Sequence, residues 1–303
     1  MQNCSSGNHQ DRPRYDCLLK ASPGLISIRG TTIVEQAPIR IDGETRLLAI
    51  IGDPVSQVRS PEIFNPRIVK AGHNAVLLPM LIPLATFDDV IKGVMGIGNL
   101  LGLVVTYPHK ERIFPHADRV GQIGQAVGAI NAMRREPDGS WTGDMFDGAG
   151  LVGALASLGQ TAAGRRILIL GAGGAGSAIA MALAASGAAT IGIFDLDGNR
   201  AAGLAARVQT HFPGCRALAT GAEVAGCDLL INATPVGMAP AFAFAPFAGE
   251  LHPGLTVIDI VPKPEATSLL ALAREKGCPT ANGAAMISGQ ADALLSFFGI
   301  GSA

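Results

Sequence analysis

The sequence predicts an α/β protein of two domains, each built around an open sheet of mainly parallel strands. Short apolar runs alternate with helical patterns along most of the chain, which is the order that βαβ units require. One apolar run passes through a glycine-rich turn, residues 171–176, into an alanine-rich helix. A length of 303 residues also fits two domains of ordinary size.

Composition and charge exclude several classes of partner. The chain has 48% hydrophobic and 16% charged residues and a net charge of −1, with no run of Lys or Arg. It therefore has no basic surface for nucleic acid or an anionic membrane. Charges and glycines interrupt the apolar segments before the roughly 18 to 20 residues that a membrane span needs. The five cysteines are scattered without metal-ligand spacing, so we expect a cytoplasmic protein with no metal site.

The first elements follow a polar leader. Residues 1–40 are irregular, which is typical of an extended or disordered segment, and they lack the apolar core of a secretory signal. The apolar run 47–51 predicts the first buried strand. Ser60 and Pro61 predict the N-cap and first position of a helix that continues towards Gly72. A strand, a helix and a strand are then predicted at residues 75–80, 86–95 and 100–106.

The glycine-rich turn predicts a dinucleotide site of the Rossmann type. Gly171 allows a tight turn, Gly173 lets the backbone approach a pyrophosphate, and Gly176 lets the following helix pack closely on the strand. The amide groups and dipole of that helix, predicted at residues 178–185, face the anion. The alternative is a glycine-rich loop that serves only to pack the helix on the strand. The presence of Asp195 at the expected position after the turn argues against it.

Asp195 directly follows the next apolar run, residues 190–194. Its distance from Gly176 is close to the ~20 residues at which a carboxylate accepts hydrogen bonds from the cofactor ribose. We expect the segment 235–253 to be a long apolar loop that packs on its own domain, and coverage of the cleft is the alternative. The remaining helices and strands are predicted at residues 199–208, 228–232, 256–261, 265–276 and 288–298.

Six short motifs occur in one order from about residue 45 to the C-terminus. They are GLVVTYPHK (102–110), GAIN (128–131), GDMFDGAG (143–150), GAGGAG (171–176), NATPVGM (232–238), and NG with MISGQA (282–283 and 286–291). In these motifs the chain resembles the shikimate dehydrogenase family. The resemblance implies a substrate-binding domain, residues 41–148 plus 284–303, and a Rossmann NAD(P)-binding domain, residues 149–283. We place the hinge at residues 148–150 and again near Gly283.

The resemblance also implies an activity. Hydride would pass reversibly between a nicotinamide and a secondary hydroxyl or ketone of a cyclic hydroxy acid, such as shikimate or quinate. This small molecule is the expected partner, aromatic amino acid biosynthesis is the expected pathway, and a homodimer is one option for assembly. Lys110 is assigned the proton transfer, and Asp147 is assigned its orientation and the acceptance of a substrate hydroxyl.

The resemblance implies further contacts. Substrate contacts are expected for Ser60, Thr106, Asn131 and Gln290. Cofactor contacts are expected for Gly171, Gly173, Gly174, Ala175, Gly176, Asp195, Thr234, Val261 and Gly283. No partner residue occurs at a spacing that would support an acid–base role for His109 or His116, and we expect both to be solvated surface residues.

Several positions depart from the family pattern. Val58 stands where the family has the first serine of Ser-x-Ser-Pro, and Val104 stands where it has asparagine. Other apolar or small replacements are Ala132, Met145, Phe146 and Pro262. Each missing hydrogen-bond partner can cost a polar ligand ~1 to 3 kcal/mol. Arg59, beside Val58, could supply a bidentate contact to a carboxylate or could point to solvent.

Two other functions stay open. The departures favour a dehydrogenase for a different, less polar carboxylate. A catalytically silent ligand-sensing module on the same fold is the second alternative, and the retention of Lys110 and Asp147 argues against it.

The cofactor is predicted to be NAD in preference to NADP. NADP-dependent members of the family carry Asn-Arg-Thr after the second Rossmann strand, whereas this chain has Asp195, Leu196 and Asp197. Carboxylates there accept hydrogen bonds from free ribose hydroxyls and repel a 2′-phosphate. Arg200 alone matches a phosphate-binding arginine of the family.

Overall fold

The computed structural model describes residues 39–238 and 247–300, and the backbone of two short strands that precede them. These strands, β1 (Ser27–Ile28) and β2 (Thr31–Thr32), pair antiparallel within the segment Met1–Pro38. Sequence analysis missed them because two residues are too few to show a pattern. Apart from these strands and residues 39–40, the predicted irregular leader lies outside the described residues, as do residues 239–246 of the predicted apolar loop.

The segment Ile39–Ala303 forms the second compact unit, and it contains two six-stranded sheets. Its first half has single helical turns at Leu84–Thr86 and Phe114–His116. The strands and helices of this half are β3 (Arg46–Gly52), α1 (Ser60–Lys70), β4 (Ala75–Leu81), α2 (Phe87–Met95), β5 (Leu100–Val105), β6 (Arg119–Val120), α3 (Gln122–Val127), β7 (Ala132–Arg135) and β8 (Trp141–Asp144).

The second half alternates more regularly. Its helices and strands are α4 (Asp147–Ser157), β9 (Arg166–Leu170), α5 (Gly174–Ala185), β10 (Thr190–Phe194), α6 (Gly198–His211), β11 (Arg216–Ala219), β12 (Leu229–Asn232), β13 (Thr256–Asp259), α7 (Ser268–Glu275), β14 (Thr280–Asn282) and α8 (Gly283–Phe297). In the described part of the chain no helix is both long and apolar enough to cross a membrane.

The first sheet is mixed, with the order β4-β3-β5-β7-β8-β6. Strand β3 lies parallel to β4 and β5, and β6 lies parallel to β8, but β7 is antiparallel to both β5 and β8. The expectation of a mainly parallel sheet therefore holds for three of the five strand pairs. Sequence analysis missed the β7–β8 hairpin because four-residue strands rich in polar residues show no apolar run.

The second sheet is fully parallel, with the order β11-β10-β9-β12-β13-β14, and it confirms the predicted Rossmann-like sheet. Its central strands are apolar on both faces, as helices on both sides require. In β9, Ile167 and Ile169 pack in the cluster that contains α4, α5 and α6. The intervening Leu168 and Leu170 pack in the cluster that contains α7.

Helix α8 connects the second sheet to the first. It starts directly after β14, where the Asn282 side chain caps it by accepting a hydrogen bond from Ala285 N at 3.1 Å. Its far end packs Leu294 and Leu295 against Leu48 of β3. The prediction of a start at residue 288 was wrong by five residues, because the small residues after Gly283 lack a helical pattern.

Two other predicted positions differ from the structure. Arg59, not Ser60, is the N-cap of α1, and Ser60 is the first helical residue. The proposed hinge residues Gly148 and Gly150 lie within α4. A Cβ at Gly148 would lie 2.6 Å from the carbonyl oxygen of Ala178 in α5, so close helix packing accounts for this glycine.

Helices α4 and α8 approach each other closely because glycines lie where they meet, so a larger side chain there should destabilise the protein. A Cβ at Gly289 of α8 would lie 2.6 Å from the carbonyl oxygen of Gly150 in α4. Gly289→Ala should lower the free energy of unfolding by about 1–3 kcal/mol, because backbone atoms must move apart. Chemical denaturation measures this change.

The matched control is Gly203→Ala in α6, where the nearest atom to a new Cβ is 3.8 Å away, at the flexible end of Arg207. This variant should be about 0.5–1 kcal/mol more stable than the native chain. Equal stabilities of the two variants would show that the α4–α8 approach does not restrict side-chain size.

Candidate active site

A cleft of about 380 Å³ lies at the carboxyl ends of strands from both sheets. Strands β3 and β5 reach it from the first sheet, and β9, β10, β12 and β13 reach it from the second. This is the edge at which open α/β sheets bind ligands. The predicted site residues that line the cleft are Val58, Arg59, Ser60, Thr106, Lys110, Asn131, Asp147, Gly171, Gly173, Gly174, Ala175, Asp195, Thr234, Val261, Gly283 and Gln290.

Four polar side chains in the cleft form one hydrogen-bonded chain. Lys110 Nζ donates to Asp147 Oδ2 at 2.5 Å, and Asn131 Nδ2 donates to Asp147 Oδ1 at 2.8 Å. The same Asn131 amide lies 3.3 Å from Gln290 Oε1. The side chains of Lys110 and Asp147 are 17% and 4% exposed, so the ion pair is largely shielded from water. Both carboxylate oxygens of Asp147 therefore have fixed partners.

The backbone holds this chain of side chains in place. Asp147 is the first residue of α4, where a negative charge is favourable. Asn131 precedes β7, and its Oδ1 accepts a hydrogen bond from Phe146 N at 2.8 Å. Its carbonyl accepts from Val105 N at 2.7 Å, which ties it to the end of β5. The arrangement keeps a lysine and a carboxylate in contact at the cleft, so it can hold and transfer a proton.

One wall of the cleft is apolar. Ile50 and Val104 belong to a buried hydrophobic cluster, and Val58 and Ile287 pack against it. Phe146 also packs against this cluster but does not line the cleft. Of the departures predicted to make the cleft more apolar, Val58, Val104 and Pro262 line it. Ala132, Met145 and Phe146 do not line the cleft, and Met145 packs in the cluster that contains α4, α5 and α6, so for these three the prediction was wrong.

Arg59 is already engaged by carboxylates. Its Nε lies 3.1 Å from Glu62 Oε2, and its Nη1 lies 3.7 Å from Glu265 Oε2. Its side chain is 24% exposed and lines the cleft. A substrate carboxylate would have to compete with these two acids for the guanidinium.

The glycine-rich turn has the shape that a dinucleotide requires. Gly171 has a φ of 103°, and a Cβ there would lie 2.8 Å from the carbonyl oxygen of Ala233. In the described structure no side chain caps α5, and Gly173, Gly174 and Ala175 at its start line the cleft, so its first amide groups are available to an anion there. Gly176 does not line the cleft, and a Cβ there would overlap the carbonyl oxygen of Gly171. Its role is the close packing of α5 on β9.

Asp195 lies at the end of β10 and is held by the backbone. Its Oδ2 accepts from Ala172 N at 2.7 Å, and its Oδ1 accepts from Asp197 N at 2.9 Å. Asp197 instead caps α6, accepting from Asn199 N at 2.9 Å, and it is not part of the cleft lining. Only the first of the two acids therefore faces a ligand.

Sequence analysis did not single out Glu111, which lines the cleft directly after Lys110. Its Oε1 lies 3.0 Å from Nη2 of Arg200 in α6. The sequence indicated Glu111 only by placing an acid directly after the assigned proton-transfer group. The spacing of residues along the chain does not predict that Arg200 is its partner.

A buried network under Thr234 and Val261 was also not predicted. Asp259 is fully buried at the end of β13 and accepts from Thr267 Oγ1 at 2.6 Å and from Val261 N at 3.1 Å. Asn232 Nδ2 donates to it at 3.0 Å, and Thr234 Oγ1 donates to Asn232 Oδ1 at 2.7 Å. Burial raises the pKa of Asp259. The sequence feature that could have indicated this network is the polar residue at the end of each of two buried strands, Asn232 and Asp259.

The expectation of two solvated histidines was wrong. His109 is fully buried, stacks on Phe87 with ring centroids 4.5 Å apart, and donates from Nε2 to the carbonyl oxygen of Ile82 at 2.7 Å. Burial lowers its pKa. His116 is only 17% exposed and packs edge-on against the same ring. His109 therefore anchors the loop that presents Lys110.

The fold and the cleft define a two-sheet protein of the Rossmann dinucleotide-binding class. Residues 50–133 match the profile of the shikimate dehydrogenase substrate binding domain. The chain is 37% identical over 258 residues to shikimate dehydrogenase (NADP(+)) of Rubrobacter xylanophilus, covering 82% of this chain and 88% of that one. The chain belongs to the shikimate dehydrogenase family, which confirms the resemblance seen in its motifs.

Solved structures share the fold. Shikimate 5-dehydrogenase from Listeria monocytogenes, in complex with shikimate and NAD, is similar with a TM-score of 0.74 and 31% identity, over 87% of this chain and 94% of that one. The 5-ketofructose reductase of Gluconobacter sp. strain CHM43 is similar with a TM-score of 0.71 and 29% identity, over 84% and 92%.

Proposed function

We propose that this protein is an NAD(P)-dependent oxidoreductase that interconverts a secondary hydroxyl and a ketone on a cyclic hydroxy acid of the shikimate or quinate type. The observation that carries the proposal is the position of the Lys110–Asp147 pair beside the dinucleotide turn. A Cβ at Gly174, the first residue of α5, would lie 3.4 Å from Lys110 Cβ. The proton-transfer pair thus adjoins the place where the glycines leave room for a cofactor.

The residues present fit such a cofactor. Gly171, Gly173 and the first turn of α5 would hold its phosphates, and Asp195 would accept hydrogen bonds from its adenosine ribose. Thr234, Val261 and Gly283 lie along the same cleft. When bound, the nicotinamide supplies or accepts the hydride.

The protein's own part of the reaction is the proton. Lys110 takes the hydroxyl proton during oxidation and returns it during reduction. Asp147 fixes the direction of the Lys110 amine through its Oδ2, while Asn131 holds the other oxygen of Asp147. Gln290, Thr106 and Ser60 are the proposed donors and acceptors for the remaining substrate oxygens.

The domain assignment is part of the proposal. The substrate-binding domain comprises residues 41–148 and 284–303, and the cofactor domain comprises residues 149–283. The return of α8 to the hydrophobic cluster of β3 supports the inclusion of the C-terminal helix in the first domain.

A less polar carboxylate is the second candidate substrate. The continuous apolar wall of Ile50, Val58, Val104 and Ile287 supports it, because a hydroxyl facing that wall loses its hydrogen bonds to water without gaining others. The fold shared with a protein named 5-ketofructose reductase is consistent with a range of substrates on this scaffold.

The first prediction from this proposal concerns Lys110. Lys110→Ala should lower turnover by roughly 10²–10⁴, because a positioned proton-transfer group contributes about that factor. Steady-state kinetics on shikimate and quinate with NAD and NADP measure it, and Lys276→Ala, an exposed lysine outside the cleft, is the control. Near-native turnover of Lys110→Ala would contradict the assignment.

Asp147→Asn should also lower turnover, and an effect on KM alone would make Asp147 a binding residue.

The second prediction concerns the apolar wall. Val58→Ser with Val104→Asn should raise kcat/KM on shikimate relative to the native chain, because it returns hydrogen-bonding groups to the wall. The matched control is Val58→Ala with Val104→Leu, which makes similar changes of size without adding polar atoms. Equal effects of the two double variants would rule out hydrogen bonding as the reason for any gain.

The third prediction concerns the choice of cofactor. We propose that NAD is preferred by about 10-fold or more in kcat/KM, since ~1.4 kcal/mol of repulsion between Asp195 and a 2′-phosphate corresponds to that factor. Parallel assays with NAD and NADP at fixed substrate test it. Asp195→Asn should reduce the preference, whereas Asp138→Asn, an exposed acid outside the cleft, should not. An equal or higher efficiency with NADP would refute the preference.

A further inference from the structure

An ion pair joins the loop after β5 of the first sheet to helix α6 of the second, at the end of the cleft where the glycine-rich turn lies. Glu111 follows Lys110 in the loop after β5, and Arg200 lies in the first turn of α6. Their side chains meet at 3.0 Å, and both line the cleft. They are 58% and 47% exposed, so the pair contributes little to stability. Its position therefore points to a role in binding.

Arg200 lies where the adenosine ribose of a dinucleotide is recognised. Its Nη2 is 3.6 Å from the place that a Cβ on Gly173 would occupy, and it lines the same cleft as Asp195 at the end of β10. In Rossmann folds an acid at this strand end contacts the ribose hydroxyls, and a nearby arginine accommodates a 2′-phosphate. This chain contains both groups.

We propose that Glu111 is a specificity-determining residue that disfavours cofactors with a 2′-phosphate by holding Arg200. A phosphate that approaches Arg200 must displace the Glu111 carboxylate or share the guanidinium with it, and the two anions repel each other. Free ribose hydroxyls need no cation and leave the ion pair intact. This inference rests on the proposed function, since it requires a dinucleotide in the cleft.

The test measures binding without turnover. Isothermal titration calorimetry with adenosine 2′,5′-bisphosphate and adenosine 5′-monophosphate gives the ratio of their association constants. In Glu111→Gln this ratio should rise by about 3- to 10-fold, the range expected when one partly exposed charge is removed. Glu111→Ala is a second variant that should shift the ratio in the same direction. Glu275→Gln, an exposed acid on α7, removes the same charge outside the cleft and should leave the ratio unchanged.

A double variant distinguishes action through Arg200 from a general change of charge. In the Arg200→Ala background, Glu111→Gln should no longer raise the ratio, because Glu111 has no guanidinium to hold. An unchanged ratio in Glu111→Gln and Glu111→Ala, or a rise that persists without Arg200, would overturn the inference while leaving the proposed function standing. Failure of the native chain to bind either nucleotide would overturn both.

Discussion

The buried charge of Asp147 is the constraint on which the site depends. A carboxylate that is 4% exposed is costly unless it is paired and hydrogen-bonded. Asp147 obtains its partners from Lys110 after β5 and from Asn131 before β7, and Asn131 in turn contacts Gln290 on α8. Four separate elements must therefore meet at one point, and the strand order of the first sheet and the return of α8 make this meeting possible.

Glycine contacts determine how closely those elements meet. Gly150 and Gly153 of α4 face Gly289 of α8 at distances that no Cβ could tolerate. Asp147 begins α4, and Gln290 directly follows Gly289, so the separation of the two helix backbones sets the distance between these site residues. Packing density and site geometry thus depend on the same three glycines.

The sequence predicts well what depends on local pattern. Apolar runs marked the central strands of both sheets, and the glycine spacing marked the turn before α5. The burial of His109 and the ion pair between Glu111 and Arg200 depend instead on partners far away in the chain, Phe87 and α6, which no local pattern specifies. The β7–β8 hairpin was missed because its strands carry polar residues such as Arg134 and Asp144 that other elements bind. Most of the residues that the motifs singled out line one cleft, but their hydrogen-bond partners could be identified only from the fold.

The charges of the cleft suggest how one scaffold can select both its ligands. Among the described residues that line it, the cations Arg59, Lys110 and Arg200 each contact a carboxylate of the protein. An anionic ligand must therefore displace an acid as well as gain a cation, which lowers the net benefit of carrying a negative charge. Neutral hydroxyls meet no such competition, because Asp147 and Asp195 can accept their hydrogen bonds while keeping the partners they have. Under the proposed function, discrimination against a 2′-phosphate at one end of the cleft and against strongly polar acids at the apolar wall would follow from the same principle, that a ligand is rejected by the contacts it would have to break or leave unmade.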